Sequence, residues 1–561
     1  MKTPLFVALT ATLAAGGCMP AQTRLAPEAN APLAAIAGPD TSEAWFARGA
    51  QGAAQRGAGL GRARNLVLFV GDGMSLTTVA AARILEGQGR GQPGEENLLS
   101  FERFPHTAFA KTYNTDSQTP DSAGTMTAMA TGVKNRIGVL GLGPEVRRGD
   151  CGTAREHELV SMIELAESAG LATGIVTTTR LTHATPAALY ARSPERNWES
   201  DVDLPAEAVA QGCRDIARQF VEFDVGDGIE VALGGGRREF LPASDIDPEY
   251  PEFPGRRLDG RDLVAEWRVR HPEGRVVWDA AQMSAFDAAP TSRLLGLFEP
   301  DHMKFEHDRP RDRAGEPSLA EMTRTALSVL KRHRGGFVLV VEGGRIDHAH
   351  HEGNAHRALT DTVAMAEAVA VAMAQTDPRE TLVVVTADHS HTLSFAGYPV
   401  RGNPILGKVV GLSSEDSLPG LARDATGLPY TTLMYANGPG YPGASSQQPA
   451  GPKRHEHKAS GYEMATMRPD LSEVDTTHPD YLQASAYPLA SETHGGDDVG
   501  IWASGPGAQS VRGTMEQNVL FHLMVQAQPA LRAELCRLAT CSDGQPTGLP
   551  ARDRLRTAAP R

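Results

Sequence analysis

No run of about twenty apolar residues occurs anywhere in the 561-residue sequence, and that excludes a polytopic helical membrane protein. Positive charge is in deficit: 54 Lys and Arg face 68 Asp and Glu, a formal net charge of −14. Nucleic-acid binding draws its non-specific affinity from clustered Lys and Arg, so this balance argues against such a partner. An anionic ligand would need local positive charge, such as metal ions. Cysteine is scarce, with five in all, and no internal repeat is present. What remains is ordinary for a soluble globular chain, 41% hydrophobic and 22% charged, long enough for one large α/β core with elaborations or for two to three average domains.

The N-terminus reads Met1-Lys2, a short apolar run from Leu5 to Ala15, then Gly16-Gly17-Cys18. This is the grammar of an export signal over residues 1–18. Small residues before a cysteine fit a bacterial lipoprotein signal with lipidation at Cys18, although Ala15 stands where that pattern usually has Leu; ordinary signal cleavage nearby stays open. The expected location is the periplasm or outer surface, with membrane attachment only through that lipid. Cys151, Cys213, Cys536 and Cys541 then form an even set in an oxidising compartment. Four cysteines permit three pairings, of which Cys151 with Cys213 and Cys536 with Cys541 is the expected one; four free buried thiols are the alternative.

Residues 19–61 are rich in Ala, Gly and Pro and read as a tether and N-terminal arm, with one helical piece, Asp40 to Arg48, anchored by Trp45 and Phe46. The core begins at Asn65-Leu-Val-Leu-Phe-Val70, an apolar run of strand length ending in Gly71-Asp72-Gly73 and feeding a helical pattern. The same grammar recurs at Ala172 to Thr178, Gly336 to Val341 and Thr381 to Thr386. Strands alternating with helices predict a three-layer α/β sandwich, a mostly parallel sheet covered by helices on both faces. Periodicity fades over about 402–491, read as a surface insertion in a domain spanning 62–541. The tail, 542–561, is expected to be disordered.

Three of those strands end in candidate metal ligands: Asp72, Glu342, and Asp388 with His389. The Ala172 strand leads on to Thr185. Ligands of open α/β sheets bind beyond the carboxyl ends of the strands, so these residues are expected to converge. Singly, each is more often a turn former or cap; recurrence at several strand ends is what carries the inference. In Val341-Glu-Gly-Gly-Arg-Ile-Asp-His-Ala-His-His351, a helix entered near Ile346 would put Asp347 and His351 at i and i+4 on one face. Imidazole with carboxylate suits zinc. Ser122, within Thr119-Pro-Asp-Ser-Ala-Gly-Thr125, precedes a helical stretch, and a serine at a helix N-terminus sits among free N–H groups that can hold phosphate oxygens. As an isolated string it is more often an N-cap.

Gly71-Asp-Gly-Met74, Asp121-Ser-Ala123, Ala184-Thr-Pro-Ala-Ala188, Val341-Glu-Gly-Gly-Arg-Ile-Asp-His348, Thr386-Ala-Asp-His-Ser-His391 and Glu492-Thr-His-Gly-Gly-Asp497 occur in that order. Together they resemble alkaline phosphatases, from about Ala44 to Cys541, and several segments are closer to the animal enzymes than to the enterobacterial type. The resemblance implies hydrolysis of small phosphate monoesters through a phosphoserine on Ser122, with Arg196 clamping the phosphoryl oxygens. It implies one zinc on Asp347, His351 and His494, a second on Asp72, Asp388 and His389, and magnesium on Asp72, Thr185 and Glu342. Three divalent ions with Arg196 outweigh the four carboxylates, so the pocket would be positive inside an acidic protein.

The resemblance also implies a calcium ion on Glu249, the Phe298 carbonyl, Glu299 and Glu316, although the animal pattern has Asp where this chain has Glu316. His183 and His348 lie beside ligands; the enterobacterial type usually has Asp and Lys there, the animal type His at both. A homodimer is the expected assembly. The competing readings are a phosphodiesterase or sulfatase of the same superfamily, or a surface protein that binds phosphate or metal without catalysis.

Overall fold

The computed structural model describes residues 38–59, 61–288, 293–411 and 419–557. The export signal, Cys18 and most of the tether lie outside the described residues. From one edge to the other, the central sheet runs Gly513–Glu516, His106–Lys111, Val499–Ser504, Thr381–Ala387, Asn65–Gly71, Phe337–Gly343, Ala172–Arg180, Val231–Gly235, Leu294–Leu297 and Arg275–Val277. Val499–Ser504 is antiparallel to both neighbours, and every other adjacent pair is parallel. This is the expected mostly parallel sheet, and its four adjacent strands of apolar sequence are buried because helices cover both faces.

Those four strands place the site. Register pairs Val70 with both Glu342 and Thr386, and Gly71 with both Gly343 and Ala387. Asp72 and Asp388 therefore leave the sheet side by side, with Glu342 two positions behind them. Gly73 turns the chain sharply at φ +69°, and a Cβ there would meet His391 at 2.3 Å, so a side chain at this position would strike the site itself.

The N-terminal arm departs from expectation in length. Trp45 and Phe46 are buried anchors as read, yet the helix runs Ser42–Gln55 rather than stopping at Arg48. Its small residues do not break it because they are packing surface. Gly49 and Gly52 lie so close to His522 and Val519 of the Val519–Ala527 helix that a Cβ would clash at 2.6 and 2.9 Å.

The expected disordered tail is corrected over 542–557. Cys541–Ser542 pairs with Gln545–Pro546 in a small hairpin. Arg552 pairs with Glu158 at 3.0 Å, and the Arg556 N–H donates to Ser168 Oγ at 3.0 Å. Its polar composition hid the order because ion pairs and backbone bonds to the body hold it, and only Leu549 and Leu555 add apolar packing against the core. Both expected disulfides form, Cys151–Cys213 and Cys536–Cys541, at sequence separations of 62 and 5. In the chain-entropy account the longer loop contributes about 4 kcal/mol and the shorter about 2.

The described residues of 402–491 contribute no strand to the central sheet. Leu433–Gly438 and Ser485–Pro488 form a small sheet with Leu393–Phe395. Tyr435 Oη lies 2.7 Å from His350 Nδ1, so this excursion buttresses the helix that carries Asp347 and His351.

Candidate active site

Ser122 opens the helix Ser122–Thr131, whose N-cap Asp121 accepts from the Gly124 N–H. The buried Ser122 Oγ lies 3.1 Å from His389 Nε2 and 3.4 Å from Asp72 Oδ1. Arg196 reaches the same place from a loop: its Nη1 donates to Asp121 Oδ2 and its Nη2 to His183 Nε2, at 3.0 and 3.1 Å. Asp121 thus caps the serine's helix and orients the guanidinium.

Asp347 and His351 share one face of the helix Arg345–His351, as the spacing predicts, and Asp347 Oδ1 is 3.4 Å from both His351 Nε2 and His494 Nε2. His351 Nδ1 faces the Glu492 carbonyl at 2.5 Å, and His494 Nδ1 faces the Pro120 carbonyl at 2.7 Å. A carbonyl only accepts, so each Nδ1 carries the proton and each Nε2 is left with a lone pair. The two Nε2 atoms stand 3.0 Å apart. Two lone pairs and a carboxylate oxygen converging there fit a cation.

Asp388 is gripped by the N–H groups of Gly73 and His389 at 3.0 and 2.8 Å. Asp72, Asp347 and His389 have donor atoms close enough to share an ion, as do Asp72, His183 and Glu342. At the latter position Asp72 Oδ2, Thr185 Oγ1 and Glu342 Oε1 are buried without a hydrogen-bond partner. Orphaned buried oxygens are costly, and three together fit a hard cation.

Electrostatics agree. Burial, then Asp388, Asp347 and Glu342, push the Asp72 carboxyl well above the usual carboxylate range. Burial likewise raises Asp388, and raises Glu342 to about 7 against the Thr177 hydroxyl. Asp347 goes the other way: burial opposes it, but His351, His391 and His494 hold it well below. Burial keeps His389, His351, His183 and His348 below the ordinary imidazole range, hence neutral and available as donors of lone pairs.

Every zinc and magnesium residue expected from the sequence is therefore brought to one crevice. Two were given no role. His391 Nε2 lies 2.7 Å from Asp347 Oδ1 and its Nδ1 lies 2.5 Å from Glu492 Oε2. Burial opposes a charge on this ring, but Glu492 and Asp347 raise it to about 10, so an imidazolium braces Asp347. The available signal was the His-Ser-His spacing, since residues two apart in extended chain share a face.

Of the expected calcium residues, the carboxylates of Glu249, Glu299 and Glu316 come together. Glu299 Oε1 and Glu316 Oε2 are buried without partners; Glu316 Oε1 accepts from the Lys304 N–H at 2.8 Å. Glu249 is shared with Arg237 at 3.3 Å and the Ala314 N–H at 2.9 Å. Asp312, unassigned from the sequence, interacts with both Glu299 and Glu249. Burial, Asp312 and Glu316 push Glu299 up to about 10. Carboxylates so crowded need protons or a cation.

Residues 63–529 match the family model described as alkaline phosphatase. The chain is 46% identical over 471 residues to the tissue-nonspecific alkaline phosphatase isozyme of Gallus gallus, covering 83% of this chain and 84% of the relative. It is 44% identical to an alkaline phosphatase of Gadus morhua over 471 residues, 83% of this chain and 92% of that one. Among solved structures, alkaline phosphatase from Thermus thermophilus superposes with a TM-score of 0.60 at 28% identity, covering 86% of this chain and 94% of its own.

Proposed function

The chain belongs to the alkaline phosphatase family and hydrolyses phosphate monoesters, and from that premise we propose that the reaction passes through a phosphoserine on Ser122. The observation that carries this reading is the Ser122 hydroxyl at a helix N-terminus, 3.1 Å from His389 Nε2 and flanked by Arg196. Asp347, His351 and His494 would hold one zinc; Asp72, Asp388 and His389 a second; Asp72, Thr185 and Glu342 a magnesium. Bound there, the ions supply the positive charge that favours an ionised serine oxygen and offsets charge on the leaving oxygen.

Ser122 Oγ gives up its proton and attacks phosphorus in line as the bond to the alcohol oxygen breaks; that oxygen keeps the bond pair and takes up a proton to leave as the alcohol. Arg196 presents two N–H groups to the phosphoryl oxygens. Water then attacks the phosphoserine from the opposite side, releasing inorganic phosphate and reprotonating Ser122, so two inversions retain configuration. Arg196 and the magnesium position favour monoesters over diesters or sulfates, because a dianionic terminal phosphate can use both. A monoester assay across pH, with metal analysis of the same sample, tests the reading; absence of turnover in protein loaded with zinc and magnesium would overturn it.

Export, lipid attachment at Cys18 and a homodimer belong to the same reading. Two disulfides suit an oxidising compartment, and no helix among the described residues is long and apolar enough to cross a membrane.

The calcium reading is supported by the oxygens of Glu249, Glu299 and Glu316, joined by Asp312. Calcium is expected to raise the melting temperature by several degrees, and a calcium-selective chelator to reverse it. A melting temperature indifferent to both would remove this ion.

His183 and His348, neutral and with ring centroids 5.3 Å apart, supply less attraction for magnesium and phosphate than a carboxylate and an ammonium would. Magnesium is therefore expected to bind reversibly and to activate. The double change His183→Asp with His348→Lys is expected to tighten magnesium and product phosphate together and slow release. Equal magnesium dependence and phosphate inhibition in parent and variant would assign both rings to packing alone.

A further inference from the structure

The edge strand Gly513–Glu516 and the helix Val519–Ala527 are joined by Gln517 and Asn518, both fully buried. Gln517 Nε2 donates to the Asp388 carbonyl at 2.7 Å. Asn518 Nδ2 donates to the Gly132 carbonyl at 3.0 Å and to the Trp45 carbonyl at 2.8 Å. A carbonyl only accepts, so each contact requires the amide nitrogen and not its oxygen. Gln517 Oε1 and Asn518 Oδ1 are left buried without a partner. Apolar side chains would fill this space at less cost; what the two amides supply that an apolar residue cannot is their donors.

The acceptors belong to the two elements that carry the chemistry. Asp388 lies one residue past the last paired position of the strand Thr381–Ala387. Its carboxylate is held by the N–H groups of Gly73 and His389 and by the Thr125 hydroxyl at 3.3 Å, and Gln517 holds the backbone between that carboxylate and the His389 ring. Gly132 is the C-cap of the helix that Ser122 opens, at φ +80°. A Cβ there would meet His522 Nε2 and Phe521 Cδ1 at 2.8 Å, so this helix end is seated on the helix Val519–Ala527 as well as bonded to Asn518.

The junction is itself anchored. Glu516 pairs with Lys111 and, at 2.9 Å, with the buried Lys134. Lys134 Nζ also donates to the carbonyls of Lys111 and Tyr113 at 3.0 and 3.1 Å. Two adjacent side chains on one fixed point therefore reach the loop of His389 and the helix of Ser122 together. Ser122 Oγ and His389 Nε2 stand 3.1 Å apart, one atom riding on the helix and the other on the loop. A misplacement of about 1 Å between reacting groups can cost about 100-fold in rate.

We propose that Gln517 is a positioning residue for the reaction. Through the Asp388 carbonyl it sets the Asp388–His389 loop at its working distance from Ser122, while Asn518 ties the serine's helix to the same point. The inference rests on the zinc and phosphoserine reading of the crevice, and adds to it a residue that touches neither substrate nor ion.

Gln517→Met keeps the length of the side chain and removes the donor. In the zinc- and magnesium-loaded full chain it is expected to lower kcat for p-nitrophenyl phosphate about tenfold, the scale of losing a hydrogen bond behind a metal ligand, because Gly73 and Thr125 still hold the carboxylate. KM is expected to stay within about twofold, since Arg196 is untouched. Zinc release to a chromogenic chelator, followed without substrate, is expected to quicken about tenfold in one kinetic phase and not in the other. Gln517→Asn, which keeps the amide but withdraws it, is expected to move the same quantities less, and serves should the methionine variant not fold. The control is Val519→Ala, which removes core volume at the same junction and no hydrogen bond: it is expected to lower the melting temperature while kcat and zinc release stay within about twofold of the parent. Gln517 variants that melt lower but keep parental kcat and zinc release, or change them no more than Val519→Ala does, would assign Gln517 to packing and overturn the inference alone. A loaded parent without turnover would instead overturn the reading beneath it.

Discussion

Replacing Ser122 by alanine is expected to lower monoester turnover by about 10⁴-fold or more, the scale of losing a catalytic nucleophile, while the metal content stays that of the parent. The substitution removes one buried oxygen from a side chain that is only 2% exposed, so neither a cavity of consequence nor a steric clash follows. The helix keeps its cap, because Asp121 still receives the Gly124 N–H at 3.1 Å. Arg196 keeps its partner on Asp121, and no residue assigned to zinc or magnesium is altered. What disappears is the atom that would carry phosphate between the two displacements. Residual turnover would come from water attacking substrate bound by Arg196. Acid quenching during turnover should trap a phosphoenzyme in the parent and none in the variant. Turnover within tenfold of the parent, with filled metal sites, would remove Ser122 from its role.

Stripping the metals is expected to abolish activity and to lower the melting temperature of the full chain by many degrees. Asp72, Glu342, Asp347 and Asp388 are all buried in one crevice, and Arg196 and His391 do not balance four carboxylates. Repulsion among buried like charges has no water to screen it. The stripped protein should also become pH-sensitive. Burial raises Glu342 from the ordinary 4.5 to about 7, and a group whose folded value is raised stabilises fully below its unfolded value and loses that contribution as pH rises through the folded one. Stability of the stripped protein should thus fall between about pH 4.5 and 7, where the loaded protein should not follow it. Melting curves across that range, before and after adding back zinc and magnesium, measure this. A stripped protein as stable as the loaded one at pH 8 would mean that these carboxylates are not held by ions.

The sequence by itself determined the sheet and several members of its crevice, with Arg196 and His494 added only by the family resemblance. Continuous apolar runs at Asn65, Ala172, Gly336 and Thr381 can only be buried on both faces, and chemistry-bearing residues stood at the ends of three of them, with Thr185 following the fourth after a loop. Asp347 and His351 were legible for a similar local reason, since four residues is one helical turn. The bracing of Asp347 by His391 was not legible, because its other anchor is Glu492, 101 residues further along the chain. Only the pairing of His391 with His494 across two short strands brings them together. Asp312 was missed among the calcium candidates, and the order of 542–557 with it, for the same cause. Local periodicity reports which face a residue shows to its own element, whereas contacts between loops depend on where the sheet order and register deliver each strand end, and that is settled by the packing of the whole chain.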